Sequence, residues 1–116
     1  MAASALTFIH TSELPRVKTP QGEVTEILNQ ALCGARNVLG VLRWIDSGAT
    51  FQTETVDRHQ LLYLMEGKGK IRLEGKEYEV GKGAGVYLGP SETATLQAAK
   101  GAPLKIFHLV VPRIPQ

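Results

Sequence analysis

The side chains that could do acid–base, ligand or metal chemistry in this chain are few and far apart in sequence. They are three histidines (His10, His59 and His108), one cysteine (Cys33), and Glu54, Gln60 and Arg43 beside or within apolar segments. His108 lies in the apolar run Leu104–Val111, where an imidazole is costly unless hydrogen-bonded. It is therefore the best candidate among the histidines for an inward polar group, with a satisfied core histidine favoured over a catalytic one. Glu54 would serve as a general base if its side chain faces inward, because burial raises a carboxylate's pKa towards neutrality. If it faces outward, it is an ordinary surface charge, and the sequence leaves both readings open. Arg43 and Trp44 are neighbours, so only one can point into a core. An inward Arg43 suits a carboxylate-bearing ligand, whereas an inward Trp44 fills the core or lines an apolar pocket. His59 precedes Gln60 and must take the opposite strand face. Cys33, in Ala31-Leu32-Cys33-Gly34-Ala35, has no adjacent His or Lys to activate a thiolate.

These residues need a frame, and the composition indicates which kind. At 116 residues the chain is long enough for one domain with its own core. Twelve glycines and six prolines favour many turns, hence an all-β class. The net charge of +2 is mild, and Lys68, Lys70, Arg72 and Lys76 alternate with Glu66, Glu74, Glu77 and Glu79. That mixture describes a solvated strand face and not a phosphate-tracking groove, so no nucleic-acid partner is expected. No apolar run approaches the roughly 18 residues of a membrane span. The segment Met1–Ile9 lacks the basic start and apolar centre of a signal peptide. With a single cysteine, which excludes an internal disulfide framework, the expectation is a soluble cytoplasmic protein.

Along the chain, Met1–Gly22 carries Pro15 and Pro20 and reads as an extended arm or edge strand. Glu23–Ala31 alternates Val24, Glu26 and Leu28 as a strand would, although Ile27, Leu28 and Ala31 also have helical spacing. Strands are expected at Val38–Ile45, Phe51–Val56 and Gln60–Met65, the last apolar on both faces as if central between two layers. Glu66-Gly67-Lys68-Gly69 should turn the chain. Lys70–Leu73 and Glu77–Val80 should form a hairpin about Glu74-Gly75-Lys76, with Tyr78 and Val80 buried. Val86–Leu88, Thr93–Ala98 and Leu104–Val111 complete the set. Strands recurring every 8 to 12 residues or so with glycine turns are the pattern of a sandwich or barrel. The predicted organisation is an arm over 1–22, a barrel over 23–112 and a short tail over 113–116.

The order of pieces from Ser47 to Pro90 resembles the cupin superfamily of small jelly-roll barrels. Ser47-Gly48-Ala49 stands where that family has PGA, and Leu61–Gly67 (LLYLMEG) resembles its apolar strand and EG turn. Glu74–Tyr78 resembles its hairpin, Lys82-Gly83-Ala84 replaces PGD, and Val86–Pro90 matches the closing strand and corner. The metal ligands of the family do not carry over. Without gaps, its paired histidines fall on Glu54 and Val56; shifted by one residue they fall on Thr53 and Thr55. Its ligand glutamate falls on Gln60, and its last histidine on Ala94. A first-row divalent metal needs about three converging imidazole or carboxylate ligands, so no metal site and no cofactor are expected at the usual place.

The resemblance also implies an inward face holding Gln60, Leu62 and Leu64. A pocket lined by these with Arg43 and Ala94 is the expected binding site, and Glu54 and His108 are the candidate catalytic groups. Two functions follow. One is a metal-independent barrel binding a small organic molecule, as a sensor, an accessory protein or a cofactor-free isomerase or lyase. The other is a metal-dependent dioxygenase, decarboxylase or isomerase with an atypical ligand set. A barrel used only for subunit assembly is a third possibility. The resemblance implies a homodimer, with Tyr63 and Tyr87, off the Gln60 face, packing between layers or subunits.

Overall fold

The computed structural model describes residues 10–29, 38–54 and 57–112. Among these residues, ten strands follow a 3-10 turn at Thr11–Glu13. They are β1 (Val17–Thr19), β2 (Gly22–Leu28), β3 (Leu39–Ile45), β4 (Thr50–Gln52), β5 (Arg58–Glu66), β6 (Lys68–Leu73), β7 (Lys76–Gly81), β8 (Gly85–Leu88), β9 (Thr95–Ala98) and β10 (Leu104–Pro112). All pair antiparallel, in a six-stranded sheet ordered β1-β2-β3-β10-β5-β8 and a four-stranded sheet ordered β4-β9-β6-β7. The two sheets face each other as a jelly roll. Cys33, Thr55, Val56 and the 113–116 tail lie outside the described residues.

Alternation decides which side chains enter the space between the sheets. On β5, Gln60, Leu62 and Leu64 are buried while Leu61 and Tyr63 are exposed. On β10, Leu104, Ile106 and His108 are buried. Ile45, Phe51, Ile71, Leu88 and Leu96 meet them from the other strands and complete a continuous apolar core. The ambiguous Glu23–Ala31 segment is a strand as far as Leu28, pairing with both β1 and β3.

Three local expectations change. The Glu66–Gly69 turn shrinks to Gly67 alone, which breaks the chain between β5 and β6 and hands it from one sheet to the other. Gly67 has φ +92°, and a Cβ there would sit 2.3 Å from the Pro103 carbonyl oxygen, so only glycine makes this crossing without strain. Tyr78 is not buried but 49 % exposed. It pairs with the inward Ile71, yet β7 is the edge of its sheet and leaves the ring half open to solvent. The Phe51–Val56 strand stops at Gln52. There Thr53 leaves the ladder to exchange hydrogen bonds with Ala94, its N–H donating to the Ala94 carbonyl (3.0 Å) and its Oγ1 accepting from the Ala94 N–H (2.9 Å).

The six-stranded sheet's outer face is partly clothed by the segment before β1. The Thr25 hydroxyl donates to the Pro15 carbonyl (3.1 Å), and the Arg16 guanidinium lies 3.9 Å from the centre of the Trp44 ring while pairing with Glu23 at 3.4 Å. Leu61 and Tyr63 on β5 have no such cover among the described residues, with Tyr63 43 % exposed. The double-sided apolarity of this strand therefore does not mean burial on both sides.

Candidate functional site

Strands β3, β5 and β10 lie side by side, and each changes character partway along its inner face. Towards one end they present Ile45, Leu62, Leu64, Leu104 and Ile106, all buried. Towards the other they present Val41 and Arg43, Gln60, and His108 and Val110, which line an open cleft of about 730 Å³. Arg43 therefore points inward, and Trp44 lies outside between Arg16 and Lys105.

The polar residues meet on diagonals of the ladder. Across β10 and β3, His108 stands opposite Val41, while Arg43 stands opposite Ile106; across β10 and β5, His108 faces Leu62 and Gln60 faces Val110. Long side chains span such offsets. Arg43 Nε–H donates to His108 Nδ1 at 2.9 Å. A guanidinium has no acceptor, so Nδ1 must carry the lone pair and the ring proton sits on Nε2. That proton is donated to Gln60 Oε1 at 2.7 Å, and Gln60 Nε2 in turn donates to the Glu54 carbonyl at 3.4 Å. One directional chain of hydrogen bonds thus runs from β3 through β10 to β5 and on to the segment after β4. Gln60 is 3 % and His108 4 % exposed, so these bonds satisfy groups that water reaches poorly.

The electrostatics follow from that placement. Burial, and secondarily the Arg43 charge, push the His108 imidazolium down to a pKa of about 4, so the ring is neutral at physiological pH. Burial also lowers the Arg43 pKa, a tendency that Glu54 opposes. Arg43 nonetheless stays charged, because its starting value is so high. Its guanidinium lies 4.6 Å from the centre of the Phe51 ring, whose face is electron-rich. The imidazole meets the same ring edge-on, with centroids 6.0 Å apart.

Of the residues proposed from sequence, the structure brings Arg43, Gln60, Glu54 and His108 to one cleft. Glu54 is exposed at the rim while Thr53 is buried, which is the shifted of the two registers. Leu62 and Leu64 line not the cleft but a separate apolar void of about 10 Å³ deeper in the barrel. Ala94 is buried against Thr53 and does not line the cleft. His59 is on the outer face, where its Nδ1 lies 2.6 Å from the Tyr87 hydroxyl. Sequence reasoning missed Val41, Val110, Glu26 and Arg58 as wall and rim residues. Counting by twos from Arg43, His108 and Gln60 along their own strands would have found three of them. Glu26 needed the pairing of β2 with β3, which sets it opposite Val41.

The donor set does not suit a divalent metal. Among the described residues no three His, Cys, Asp or Glu side chains converge. His108 has both nitrogens engaged and a guanidinium beside it, and Thr53 and Ala94, at two of the family's ligand positions, are bonded to each other.

A family model described as the AraC-like ligand binding domain matches residues 39–112. No curated protein matches the chain by sequence. Several solved structures share the fold. The polyketide cyclase RemF from Streptomyces resistomycificus superposes with a TM-score of 0.80 at 13 % identity, over 97 % of this chain and 83 % of that one. A predicted oxalate decarboxylase from Thermotoga maritima gives 0.80 at 12 % identity, over 91 % and 99 %. An RmlC-like cupin from Shewanella frigidimarina gives 0.76 at 14 % identity, over 94 % and 93 %.

Proposed function

Because the chain belongs to the AraC-like ligand-binding domain family of the cupin superfamily, we propose that it is a binding barrel whose open cleft takes up a small organic molecule without a metal. The observation that carries this reading is the Arg43–His108–Gln60 chain at the cleft, a half-buried cation and two buried polar groups fixed in place before any ligand arrives. Preorganised polar groups set in an apolar wall are the usual make-up of a small-molecule site, and the cleft volume falls within the range of such sites. The geometry favours binding over catalysis. His108 is neutral but has no free nitrogen to accept a proton, since Nδ1 is occupied by Arg43. Glu54, the other candidate base, sits exposed at the rim. Barrels of this shape include a cyclase and a predicted decarboxylase, so the fold does not choose between sensor or accessory roles and cofactor-free chemistry, whereas the occupied imidazole points to the former.

The test is to purify the protein without a polyhistidine tag, measure its metal content, and then follow backbone amide shifts during titration with a small-molecule library. Stoichiometric Fe, Mn, Ni or Zn that resists dialysis overturns the metal-free part of the reading. A library that moves no amide of the cleft wall, Val41 and Val110 above all, overturns the binding part.

The expected setting is a cytoplasmic homodimer with no nucleic-acid partner. The single cysteine and the interleaved surface charges support the first and last of these. The dimer is supported by Leu61, Tyr63 and the 60 % exposed Tyr87, which gather at the β5–β8 edge of the larger sheet. A monomeric mass by light scattering at micromolar concentration counts against it. Among the described residues, no helix is long and apolar enough to cross a membrane.

A further inference from the structure

Among the described residues, Arg43 spends one of its five N–H groups on the protein. Nε–H is fixed by His108, and the guanidinium carbon lies over the Phe51 ring, so two contacts hold the group in place. Among the described residues, Nη1 and Nη2 make no hydrogen bond and have no carboxylate within ion-pair distance. The acidic groups that line the cleft form no ion pair with Arg43, although the Glu54 charge acts on it from a distance. Glu26 accepts from Asn29 Nδ2 at 2.7 Å, and Glu54 stands exposed at the rim. A partly desolvated cation with its fork open is a costly arrangement that an anion relieves, and a planar carboxylate matches the fork with two parallel bonds. The neighbouring polar groups compete little for that anion, because His108 and Gln60 already satisfy one another. Phe51 lies against the guanidinium, and Leu39, Val41 and Val110 add apolar wall to a cleft whose rim also carries polar groups, Arg58 among them.

Resting on the reading of the cleft as a small-molecule site, we propose that its ligand is an organic carboxylate with an apolar aryl or branched alkyl body, the carboxylate held by Arg43 Nη1 and Nη2. His108 is a positioning residue in this arrangement. It holds Nε so that the other edge of the guanidinium faces the cleft, and it does so as a neutral ring that adds no second charge. The specificity is for an acid over its neutral isostere, since an amide cannot neutralise the guanidinium.

Phenylacetate and 4-methylpentanoate, their primary amides, and inorganic sulfate are titrated separately into the wild-type protein. The readouts are the Arg43 Nε–Hε resonance and the backbone amides of Leu39 and Val110. The expected result is that both acids shift all three signals, and that each acid binds at least tenfold more tightly than its amide. In Arg43→Gln that preference should disappear, and in Arg43→Lys, which keeps the charge without the fork, it should fall between the two. Amides that bind as well as the acids overturn the carboxylate assignment but leave the cleft a small-molecule site. Sulfate that matches the acids overturns the apolar body. If no compound shifts the cleft signals at millimolar concentration, both the assignment and the small-molecule reading fall. Because the primary readout is on the wild type, the result does not depend on either variant folding.

Discussion

The barrel interior has a closed half and an open half, and β3, β5 and β10 contribute side chains to both. In the closed half Ile45, Leu104 and Ile106 are buried, and the void lined by Leu62, Leu64, Ile71 and Leu96 is about 10 Å³, barely room for one water. In the open half the same strands carry Arg43, Gln60 and His108 beside a cleft of about 730 Å³. The closed half gains stability by removing apolar surface from water. The open half gains little that way, and holds its shape through hydrogen bonds whose value depends on every member being present. The contrast teaches that a single strand can act as scaffold over one turn of its alternation and as receptor over the next, with two residues between the roles.

The sharpest way to break the contrast is to damage the closed half. Leu62→Ala should destabilise the fold by about 2–5 kcal/mol, the usual cost of a core cavity, as measured by urea unfolding. A loss under about 1 kcal/mol would mean that this half is not the tightly packed one.

Acid should act through the open half. The unfolded chain protonates this histidine near pH 6.5, whereas folded His108 does so only at about 4. Between those values the unfolded state binds more protons, so the contribution is fully present above pH 6.5 and is lost as the pH falls towards 4. At about 1.4 kcal/mol per pH unit, the wild type should lose roughly 3 kcal/mol more than His108→Leu between pH 7 and pH 4. Parallel stability-versus-pH curves for the two proteins would remove His108 as the source, and an NMR titration of the ring reports its pKa directly.

At neutral pH, His108→Leu should cost about 1–3 kcal/mol, because it strands Arg43 Nε–H and Gln60 Oε1. Gln60→Leu should behave similarly, and the double variant should cost clearly less than the sum, since the two residues share one bond. Additive losses would show that the chain does not act as a unit. The smallest effect belongs to the rim: Glu54→Gln should leave unfolding free energy within about 0.5 kcal/mol of wild type, as for other exposed substitutions. A larger change would place Glu54 inside the polar network.

Much of the frame was legible before any coordinates. The glycine turn at Glu74-Gly75 gives the β6–β7 hairpin, with both residues at positive φ (51° and 79°) as a two-residue turn requires. The alternation of Ile71 and Leu73 with Lys70 and Arg72 sets the inward face of β6. Tyr78 shows where that logic ends, for alternation gives the side a residue faces and not whether anything lies opposite it. The same limit applied to Tyr63. The register after Phe51 was undecidable because it depends on Thr53 bonding to Ala94, a contact between positions 41 residues apart.

Sequence alone determined that His108 had to be satisfied if inward, that Arg43 and Trp44 could not share a face, and that in neither register do the family's ligand-histidine positions hold a histidine. Those conclusions follow from chemistry and from the two-residue period of a strand, which are local. Only the tertiary structure decided that Arg43, His108 and Gln60 form one chain. They are separated by 65 and 48 residues, and they meet because three strands pair in registers that set them on neighbouring diagonals. Register is fixed by the whole sheet at once, and a shift of one residue would send each of these side chains to the opposite face.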